Sequence, residues 1–548
     1  MRLPQHKNKS VNVHQFAMIP KADIPRSRFD VQTTHKTTFD SGYLVPIYID
    51  EVLPGDAFSL RLTAFARLST PLFPIMDNLH METFFFFVPY RLIWTNWVKM
   101  MGEQDDPADS IDFTTPQQVT PAGGYAVNSL QDYMGLPTAG QVGAGNTVSH
   151  SALPLRAYNL IYRDWFRDEN LQDSPVVDKD DGPDTVGDYV LLRRGKRKDY
   201  FTGALPWPQK GNIGVTLPLG TFAPVGTWPS DTFSGVQPNL KLRRDTTGER
   251  PASDITLGSA SGTGQVMDVG AGTPGSASWY PSNLFADLSE ATAATINQLR
   301  QAFAIQKVLE RDARGGTRYT EHVKAHFGVT SPDARLQRPE YIGGGHSAIT
   351  INPIAQTTQT GLTGGTTPIG TLGAVGATVA SGHGFTQSFT EHGVIIGLVN
   401  VRADLTYQQG LRKMWSRATR YDYYLPAFAM LGEQAVLNKE IYCDGSATDD
   451  QVFGYQERWG EMRYHPSMIT GLFKSTSAGT IDPWHLAQNF TALPTLNTTF
   501  IQDTPPLSRA LAVGTAANGQ QIIFDSFFSI RKARPMPMYS VPGLIDHF

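Results

Sequence analysis

Two histidines in the second half of the chain have the spacing of a metal-binding pair. His322 and His326 are four residues apart, so a helix would place both imidazoles on one face, where they could share a zinc ion. A zinc peptidase also needs a glutamate directly after the first histidine, and this chain has Val323 there. The sequence suggests no third ligand. We therefore favour an exposed helix face and expect no bound metal.

Clustered carboxylates are the second group with possible chemistry. Glu457 and Glu461 are one helical turn apart and could act on a glycoside as acid and base, but a charged face explains them equally well. A run of aspartates resembles a calcium loop whose glycine and terminal glutamate are out of register. We interpret this run as a solvated acidic turn, and its members are Asp178, Asp180, Asp181 and Asp184.

The sequence lacks the common motifs of enzymes that bind phosphate or use a nucleophile. It contains neither GxxxxGK[ST] nor GxSxG. Its single cysteine, Cys443, has no evident activating partner and is expected to be buried or inert. One cysteine also excludes a disulfide framework within the chain, which fits synthesis in a reducing cytoplasm. We therefore expect no catalytic residues, no cofactor and no enzymatic activity.

Two basic clusters could bind the phosphate groups of a nucleic acid. Residues 193–198 carry five positive charges around Gly195, and Arg531, Lys532 and Arg534 follow the last predicted strand. Contact between such side chains and phosphates releases counterions and so favours binding. A solvated loop or a salt-bridged contact between subunits is the alternative interpretation of both clusters.

The composition is typical of a soluble, β-rich protein with long loops. The 548 residues carry a formal net charge of −4, only 18% are charged, and 11% are aromatic. A near-neutral chain is poorly suited to coat nucleic acid by bulk electrostatics. The longest apolar runs are far shorter than the ~18 residues of a membrane-spanning helix. The N-terminus also lacks the apolar segment of a signal peptide.

The elements that must position these residues are mostly strands. Apolar residues alternate from Leu60 to Leu68, which predicts a half-buried strand. Helical spacing is found instead at residues 154–171 and from Ser289 to the glycines at 315 and 316. Further strands are predicted at residues 43–52, 83–88, 394–405 and 521–531. Strands at both ends, with helices between them, predict one sandwich with greatly expanded loops.

Three segments lie outside this pattern. Residues 1–40 are basic and aperiodic, and we expect an N-terminal arm that becomes ordered only on contact with another molecule. Residues 203–282 are rich in Gly and Pro, but their interspersed aromatic residues predict a folded insertion. Residues 361–393 predict an exposed Gly/Thr-rich loop. The aromatic residues of the long insertion include Trp207, Trp228 and Trp279.

Several long segments together resemble the major capsid proteins of the gokushoviruses, small icosahedral single-stranded DNA bacteriophages of the Microviridae. They include FVPYRLIWTNW at residues 87–97 and LERDARGGTRY at residues 309–319. The other matching segments are residues 153–171, 454–459, 481–485 and 542–548.

The resemblance implies a mainly β fold, an eight-stranded antiparallel jelly-roll sandwich over residues 41–548 with helix-containing insertions. It further implies a T=1 icosahedral shell of many copies around a circular single-stranded DNA genome, assembled in the host bacterial cytoplasm. Residues 203–282 would project outward, and the expected partners are a small basic DNA-binding protein, a minor DNA-delivery protein and a host surface receptor. Some basic side chains would face the DNA, the candidates being Lys7, Lys9, Arg531, Lys532 and Arg534.

Two other functions stay open at this point. A jelly-roll protein that binds or cleaves carbohydrate would need two carboxylates on the floor of a cleft. A host-binding role is compatible with a shell, since Trp207, Trp228 or Trp279 could stack on a surface sugar. Packing within the insertion is the alternative explanation of the three tryptophans.

Overall fold

An antiparallel sheet of eight strands forms the centre of the chain. The structure is a computed structural model that describes residues 25–211, 225–227, 241–245, 255–256, 278–281, 284–286, 296–315, 319–328, 337–357, 369–513 and 519–539. Within these residues the strands of the sheet are β1 (Ser27–Phe39), β2 (Val45–Val52), β3 (Ala57–Leu68), β4 (Leu79–Pro89), β5 (Glu340–Ala355), β6 (Leu372–Ser388), β7 (Gly393–Ala403) and β8 (Ile522–Arg534).

The connectivity of the sheet is that of a jelly roll. Its order is β1-β8-β3-β6-β5-β4-β7-β2, and every neighbouring pair is antiparallel. The chain passes between the half formed by β1, β8, β3 and β6 and the half formed by β5, β4, β7 and β2 at every connection except that from β4 to β5. Strands that follow each other in sequence therefore mostly lie in opposite halves around one core. The predicted mainly β jelly roll is confirmed.

β3 shows how the sequence builds the core between the two halves. Leu60, Leu62 and Leu68 are at most 1% exposed, whereas Arg61 and Arg67 at the alternate positions are exposed. Because successive side chains of a strand point to opposite faces, this period of two gives one buried apolar face and one solvated face. β8 repeats the pattern with buried Ile522, Phe524, Phe528 and Ile530.

β4 is buried on both faces along its aromatic run, as predicted. Phe85 and Phe87 belong to the core between the sheet halves. Phe86 and Val88 point to the other side and pack in a second cluster that includes the helix α1 (Leu153–Ile161). This helix, which was predicted at residues 154–171, covers the outer face of the half-sheet that contains β4 and β7.

Residues 27–39 were predicted as part of an N-terminal arm, but they form the edge strand β1. The pairing with β8 runs from Ser27 opposite Arg534 to Phe39 opposite Ile522. Most of β1 is exposed or half-buried, and only Phe39 is fully buried. The strand therefore carries no apolar alternation that the sequence could show. The rest of the predicted arm, up to residue 24, lies outside the described residues.

Most of the predicted exposed loop at residues 361–393 is the strand β6. Its inward positions carry small residues such as Ala374 and Ala380. A Cβ atom at Gly376 would lie 2.5 Å from Leu68 Cδ1, so this position needs the close approach that glycine allows. The strand was missed because it reads as a Gly- and Ala-rich stretch without bulky apolar residues. Residues 358–368 lie outside the described residues.

The remaining elements lie in loops of the jelly roll or in a second unit, Gln209–Arg314. The loop helices are α1, which continues as a π-helical turn at Tyr162–Phe166, α3 (Tyr319–Phe327) and short turns at Tyr90–Leu92, Trp97–Met100, Leu130–Tyr133, Val186–Asp188, Lys413–Ser416, Arg420–Asp422, Pro426–Phe428, Asn438–Ile441, Ala447–Asp450, Gly460–Met462, Gly471–Phe473, Asp482–Trp484, Thr498–Ile501 and Leu507–Arg509. Two small sheets pair Gln117–Val119 with Ser149–Ser151 and Glu433–Leu437 with Val452–Glu457.

The second unit contains short strands and one long helix. The helix is α2 (Ile296–Gly315), which ends at the predicted glycines. The described strands are Val225–Thr227, Lys241–Asp245, Ile255–Thr256, Ser278–Pro281 and Leu284–Ala286. Among all described residues, no helix combines the length and the apolar character that crossing a membrane requires.

Candidate assembly surfaces and a basic pocket

A loop after β7 exposes a large set of apolar side chains, and we call residues 411–431 the aromatic segment. Trp415 is 70% exposed and Met430 97%. The remaining exposed apolar residues of the segment are Met414, Tyr421, Tyr423, Tyr424 and Leu431. Aromatic residues, Met and Arg are the types enriched at the centres of protein interfaces. Exposed apolar patches of this kind mark interaction sites.

Polar contacts fix the backbone of the aromatic segment and leave its apolar side chains outward. The Asp422 carboxylate accepts hydrogen bonds from the backbone N–H and hydroxyl of Thr419 at 2.7 and 2.8 Å. Lys413 Nζ lies 3.2 Å from Glu440, and Arg417 Nη2 lies 3.2 Å from Glu461. Ion pairs with neighbouring loops therefore hold the aromatic segment in place. Its exposed apolar side chains are left free to contact another molecule.

The outer face of the half-sheet with β3, β6 and β8 is a second apolar surface. Val379 is 68% exposed and lies opposite Phe65, which is 43% exposed. On the other side of β3, Thr63 lies opposite Phe527 and Arg67 opposite Ile523, and both apolar residues are also exposed. A solvated sheet face normally carries polar residues at such positions. This face is therefore a candidate contact surface as well.

Residues 194–198 of the basic cluster line a pocket of about 540 Å³ beside β4. Arg194 pairs with Glu82, and Arg197 Nη1 lies 2.8 Å from Asp404. Lys198 pairs with Asp168. The cluster is thus neither a free solvated loop nor fully neutralised. The pocket is lined by six cationic side chains, Arg167, Arg194, Lys196, Arg197, Lys198 and Arg402, and by the carboxylate of Asp168.

Burial perturbs the charged groups around this pocket. Loss of hydration lowers the pKa of Lys196 to about 8, although Asp199 and Asp503 oppose the shift. Burial alone would raise the pKa of Glu82, but the arginines beside it, led by Arg194, bring it below its ordinary value. Burial raises the pKa of Asp503 to about 7 against the opposing effect of Arg402 and its neighbours. Positive charge is therefore concentrated where hydration is poor.

The three C-terminal basic residues occupy two different environments. Lys532 pairs with Asp50 of β2 and lies 5.2 Å from the Phe58 ring centre. Arg534 donates to the Glu51 carbonyl at 2.5 Å and approaches Asp50 at 3.7 Å. Arg531 has a side chain that is 69% exposed. Of these three DNA-facing candidates, only Arg531 projects its charge into solvent.

The acidic turn between residues 178 and 184 is solvated at Asp180 and Asp181, as interpreted, but Asp184 is buried against an arginine, which corrects the interpretation at that position. The buried carboxylate of Asp184 accepts hydrogen bonds from Arg156 Nε at 2.8 Å and from Arg156 Nη2 at 2.5 Å. Asp180 accepts from Arg156 through its carboxylate at 3.1 Å, and Asp181 accepts from Trp94 Nε1 at 2.7 Å. A guanidinium group therefore occupies the centre of this acidic turn.

Among the described residues, the two glutamates and the cysteine considered for chemistry have partners that do not activate them. Glu457 pairs with Arg463, and Glu461 with Arg417, so each carboxylate faces its own arginine. Cys443 was expected to be buried or inert, and it is exposed, which leaves the inert thiol. Desolvation and the neighbouring Asp449 carboxylate raise the pKa of this thiol, which disfavours the reactive thiolate.

The structure locates only some of the residues proposed for other roles. His322 and His326 lie on α3 with ring centres 4.3 Å apart. Trp207 is half-buried in a turn. Trp279 belongs to the short strand Ser278–Pro281, but its side chain lies outside the described residues, as do Lys7, Lys9 and Trp228 altogether.

Two functional features were missed by reading the sequence. The aromatic segment could have been found in the sequence, because residues 411–431 combine Trp, Tyr and Met with several arginines and show no alternation typical of a strand. Arg402 carries none, since it follows an apolar run at the end of β7 and resembles a residue that simply ends a strand. Its burial at the pocket depends on the pairing of β7 with β4.

A jelly roll with exposed aromatic surfaces fits the class of structural proteins whose subunits bury such surfaces against each other. Residues 17–544 match the family described as "Capsid protein (F protein)", and the chain belongs to this family. The chain is therefore a capsid protein and a component of a virion. The predicted structural role in a capsid is therefore confirmed, and an alternative role in carbohydrate binding or cleavage is not favoured.

Three relatives match over nearly their whole length. Capsid protein VP1 of Bdellovibrio phage phiMH2K is 47% identical, covering 98% of this chain and 99% of that protein. Capsid protein VP1 of Chlamydia phage 1 is 44% identical, with the same coverage. Capsid protein VP1 of Spiroplasma virus 4 is 36% identical over 98% of both chains. The expected resemblance to gokushovirus capsid proteins is confirmed.

Proposed function

We propose that this chain assembles into a T=1 icosahedral shell around a circular single-stranded DNA genome in the cytoplasm of a bacterial host, and acts structurally without catalysis. The observation that carries the proposal is the aromatic segment, which is ordered by its own ion pairs yet leaves Trp415 and Met430 largely exposed. In a closed shell the subunits bury this surface against each other, and many modest contacts reinforce one another.

The charge distribution supports a division of labour with other proteins. The net charge is −4, and many cations of the described fold, including Lys532 and Arg534, are already paired with carboxylates. Genome neutralisation then falls largely to a small basic DNA-binding protein, assisted by Arg531 and the basic N-terminal residues Lys7 and Lys9. A minor protein would deliver the DNA.

Residues 203–282 are the proposed outward insertion that contacts a host receptor. Their sequence carries Trp207, Trp228 and Trp279, and stacking of such rings suits a sugar ligand. Deleting the insertion should abolish adsorption to host cells while particles still form. Normal adsorption of the deletion particles would contradict this role.

The assembly role is tested by changing Trp415 to Ala. Truncating an aromatic interface anchor typically removes about 2 kcal/mol or more of binding free energy, so the concentration needed for assembly should rise at least about tenfold. Sedimentation and electron microscopy measure particle formation, and thermal unfolding of unassembled subunits should be unchanged because the ring is exposed. W415F is the matched control and should assemble nearly normally. Unchanged assembly of W415A would contradict the role of this surface.

A further inference from the structure

The pocket beside β4 contains a buried cation with unmet hydrogen-bonding capacity. Arg402 is 3% exposed, and its Nε and Nη2 atoms have no hydrogen-bond partner among the described residues. Its Nη1 atom lies 3.9 Å from Glu82, which Arg194 already engages. Leaving a buried charged donor unbonded is unfavourable by several kcal/mol in general, so such groups normally have a partner. The missing partner should be an anion.

The nearby carboxylate of Asp503 does not fill this role. It is 1% exposed, and neither of its oxygens has a hydrogen-bond partner among the described residues. Asp503 interacts with Arg402 electrostatically, but the two side chains form no hydrogen bond or close ion pair. The Nε and Nη2 donors of Arg402 are shielded from solvent beneath the pocket wall, so this guanidinium acts on an anion in the pocket through its poorly compensated positive charge. A phosphodiester also matches the guanidinium groups of the more exposed arginines in the same wall geometrically.

The other wall of the pocket is aromatic. Phe84, Phe86, Phe166, Trp165 and Tyr341 line it. Tyr341 is 44% exposed and Trp165 is 39% exposed, with their ring centres 6.2 Å apart. Exposed aromatic rings of this kind can stack on a nucleic-acid base whatever its identity, because every base has a π-face.

We propose that this pocket binds one nucleotide unit of single-stranded DNA, with the phosphate at Arg402 and the base against Trp165 and Tyr341. The pocket has an open side, because Lys198 and Arg197 at its rim have side chains that are 63% and 48% exposed. Its volume of about 540 Å³ is in the range of sites for small organic ligands. The proposal rests on the proposed function, since it assigns a point of contact between shell and genome.

Binding of a fluorescent dT12 oligonucleotide to the full-length, unassembled chain tests the proposal. R402M should weaken binding about tenfold, and K198M, at the exposed rim, about threefold. R463M removes an equally positive but 64% exposed side chain that is not part of the pocket lining and should change binding less than about twofold. K198M keeps the test valid if R402M fails to fold, because its side chain is mostly in solvent.

An abasic oligonucleotide of the same length tests the base contact. Wild type should bind it about fivefold or more weakly than dT12, and Y341L should remove that difference. Equal binding of R402M, K198M and wild type would overturn the proposal, as would equal binding of abasic and dT12 strands by wild type. Displacement of dT12 by an equimolar poly-Glu peptide would also overturn it, in favour of an acidic protein ligand. Assembly of the same variants, measured by sedimentation, reports on the shell function separately.

Discussion

Two buried arginines of this chain have opposite surroundings. Arg156, on α1, has a side chain that is 0% exposed, and every one of its donor groups has an acceptor within the fold. Arg402, on β7, is nearly as buried, but Nε and Nη2 have no acceptor among the described residues. Burial alone therefore does not distinguish a structural cation from one that awaits a ligand.

The difference follows from the elements around each guanidinium. The turn that contains Asp180 and Asp184 folds directly over Arg156 and supplies both carboxylates and a backbone carbonyl. Arg402 instead lies among other cations, and of the two carboxylates near it Glu82 is shared with Arg194 and Arg197, while Asp503 makes no hydrogen bond to it. One region is complete within a single chain, and the other is not.

Replacing Arg156 by Met should have the largest effect. The change leaves Asp184, whose side chain is 1% exposed, without its cation. Removing one member of a buried ion pair generally costs about 3–5 kcal/mol, so the melting temperature of the subunit should fall sharply or the chain should fail to fold. R156M/D184N removes the orphaned charge and should recover part of the loss. A double variant no more stable than R156M would contradict the pairing argument.

Much of the fold could be predicted from sequence because the strands that bury bulky residues show their period. β3, β4, β7 and β8 were all predicted near their observed positions. β1, β5 and β6 were missed for physical reasons, since an exposed edge strand, a strand with one fully buried residue and a strand packed through Ala and Gly bury few large side chains. Sequence pattern detects apolar burial, and these three strands bury little of it.

The candidate sites were harder to predict because they depend on contacts between distant segments. Residues 193–198 were correctly singled out as basic, but their partners Glu82 and Asp404 come from β4 and the end of β7. Lys532 and Arg534 looked equivalent to Arg531 in sequence, and only the pairing with Asp50 separates them. Charge can be counted in a sequence, whereas its neutralisation depends on the fold.

Lys532 and Arg531 are neighbouring cations with different exposure, and replacing Lys532 should have an effect on stability smaller than that of R156M. K532A should destabilise the subunit by about 1–2 kcal/mol, because Lys532 is largely buried against Asp50 and Phe58. R531A should change stability by less than about 0.5 kcal/mol, since its side chain is 69% exposed. Urea unfolding at low and high salt measures both. Equal losses for the two variants would show that their environments do not differ as described.

Changing Arg402 to Met should alter subunit stability by less than about 1 kcal/mol, in contrast to R156M. The substitution removes a buried cation that lacks hydrogen-bond partners, while Glu82 keeps Arg194 and Arg197. Thermal unfolding of R402M and R156M side by side makes the comparison direct. A loss of several kcal/mol in R402M would mean that this arginine is structural after all.

His383 is a buried side chain that can gain or lose a proton. Replacing it should change folding stability less than any of the substitutions above. The ring lies between Thr83 Oγ1 at 2.9 Å and Ser347 Oγ at 3.0 Å, and burial lowers its pKa. The unfolded chain, with a histidine pKa of about 6.5, binds the proton more readily than the folded chain. The resulting stability is present above about pH 6.5 and is lost as the pH falls through the lowered folded value.

H383Q should therefore flatten the pH dependence of stability below about pH 6.5, because glutamine can bond to both hydroxyls without titrating. Urea midpoints measured between about pH 7.5 and pH 5 test this slope. H465Q changes an exposed histidine and should leave the slope as in wild type. If H383Q and wild type lose stability in parallel on acidification, His383 is not the group that titrates. The two hydrogen bonds to the buried His383 ring would then fix its protonation state, as the carboxylates around Arg156 do for that arginine.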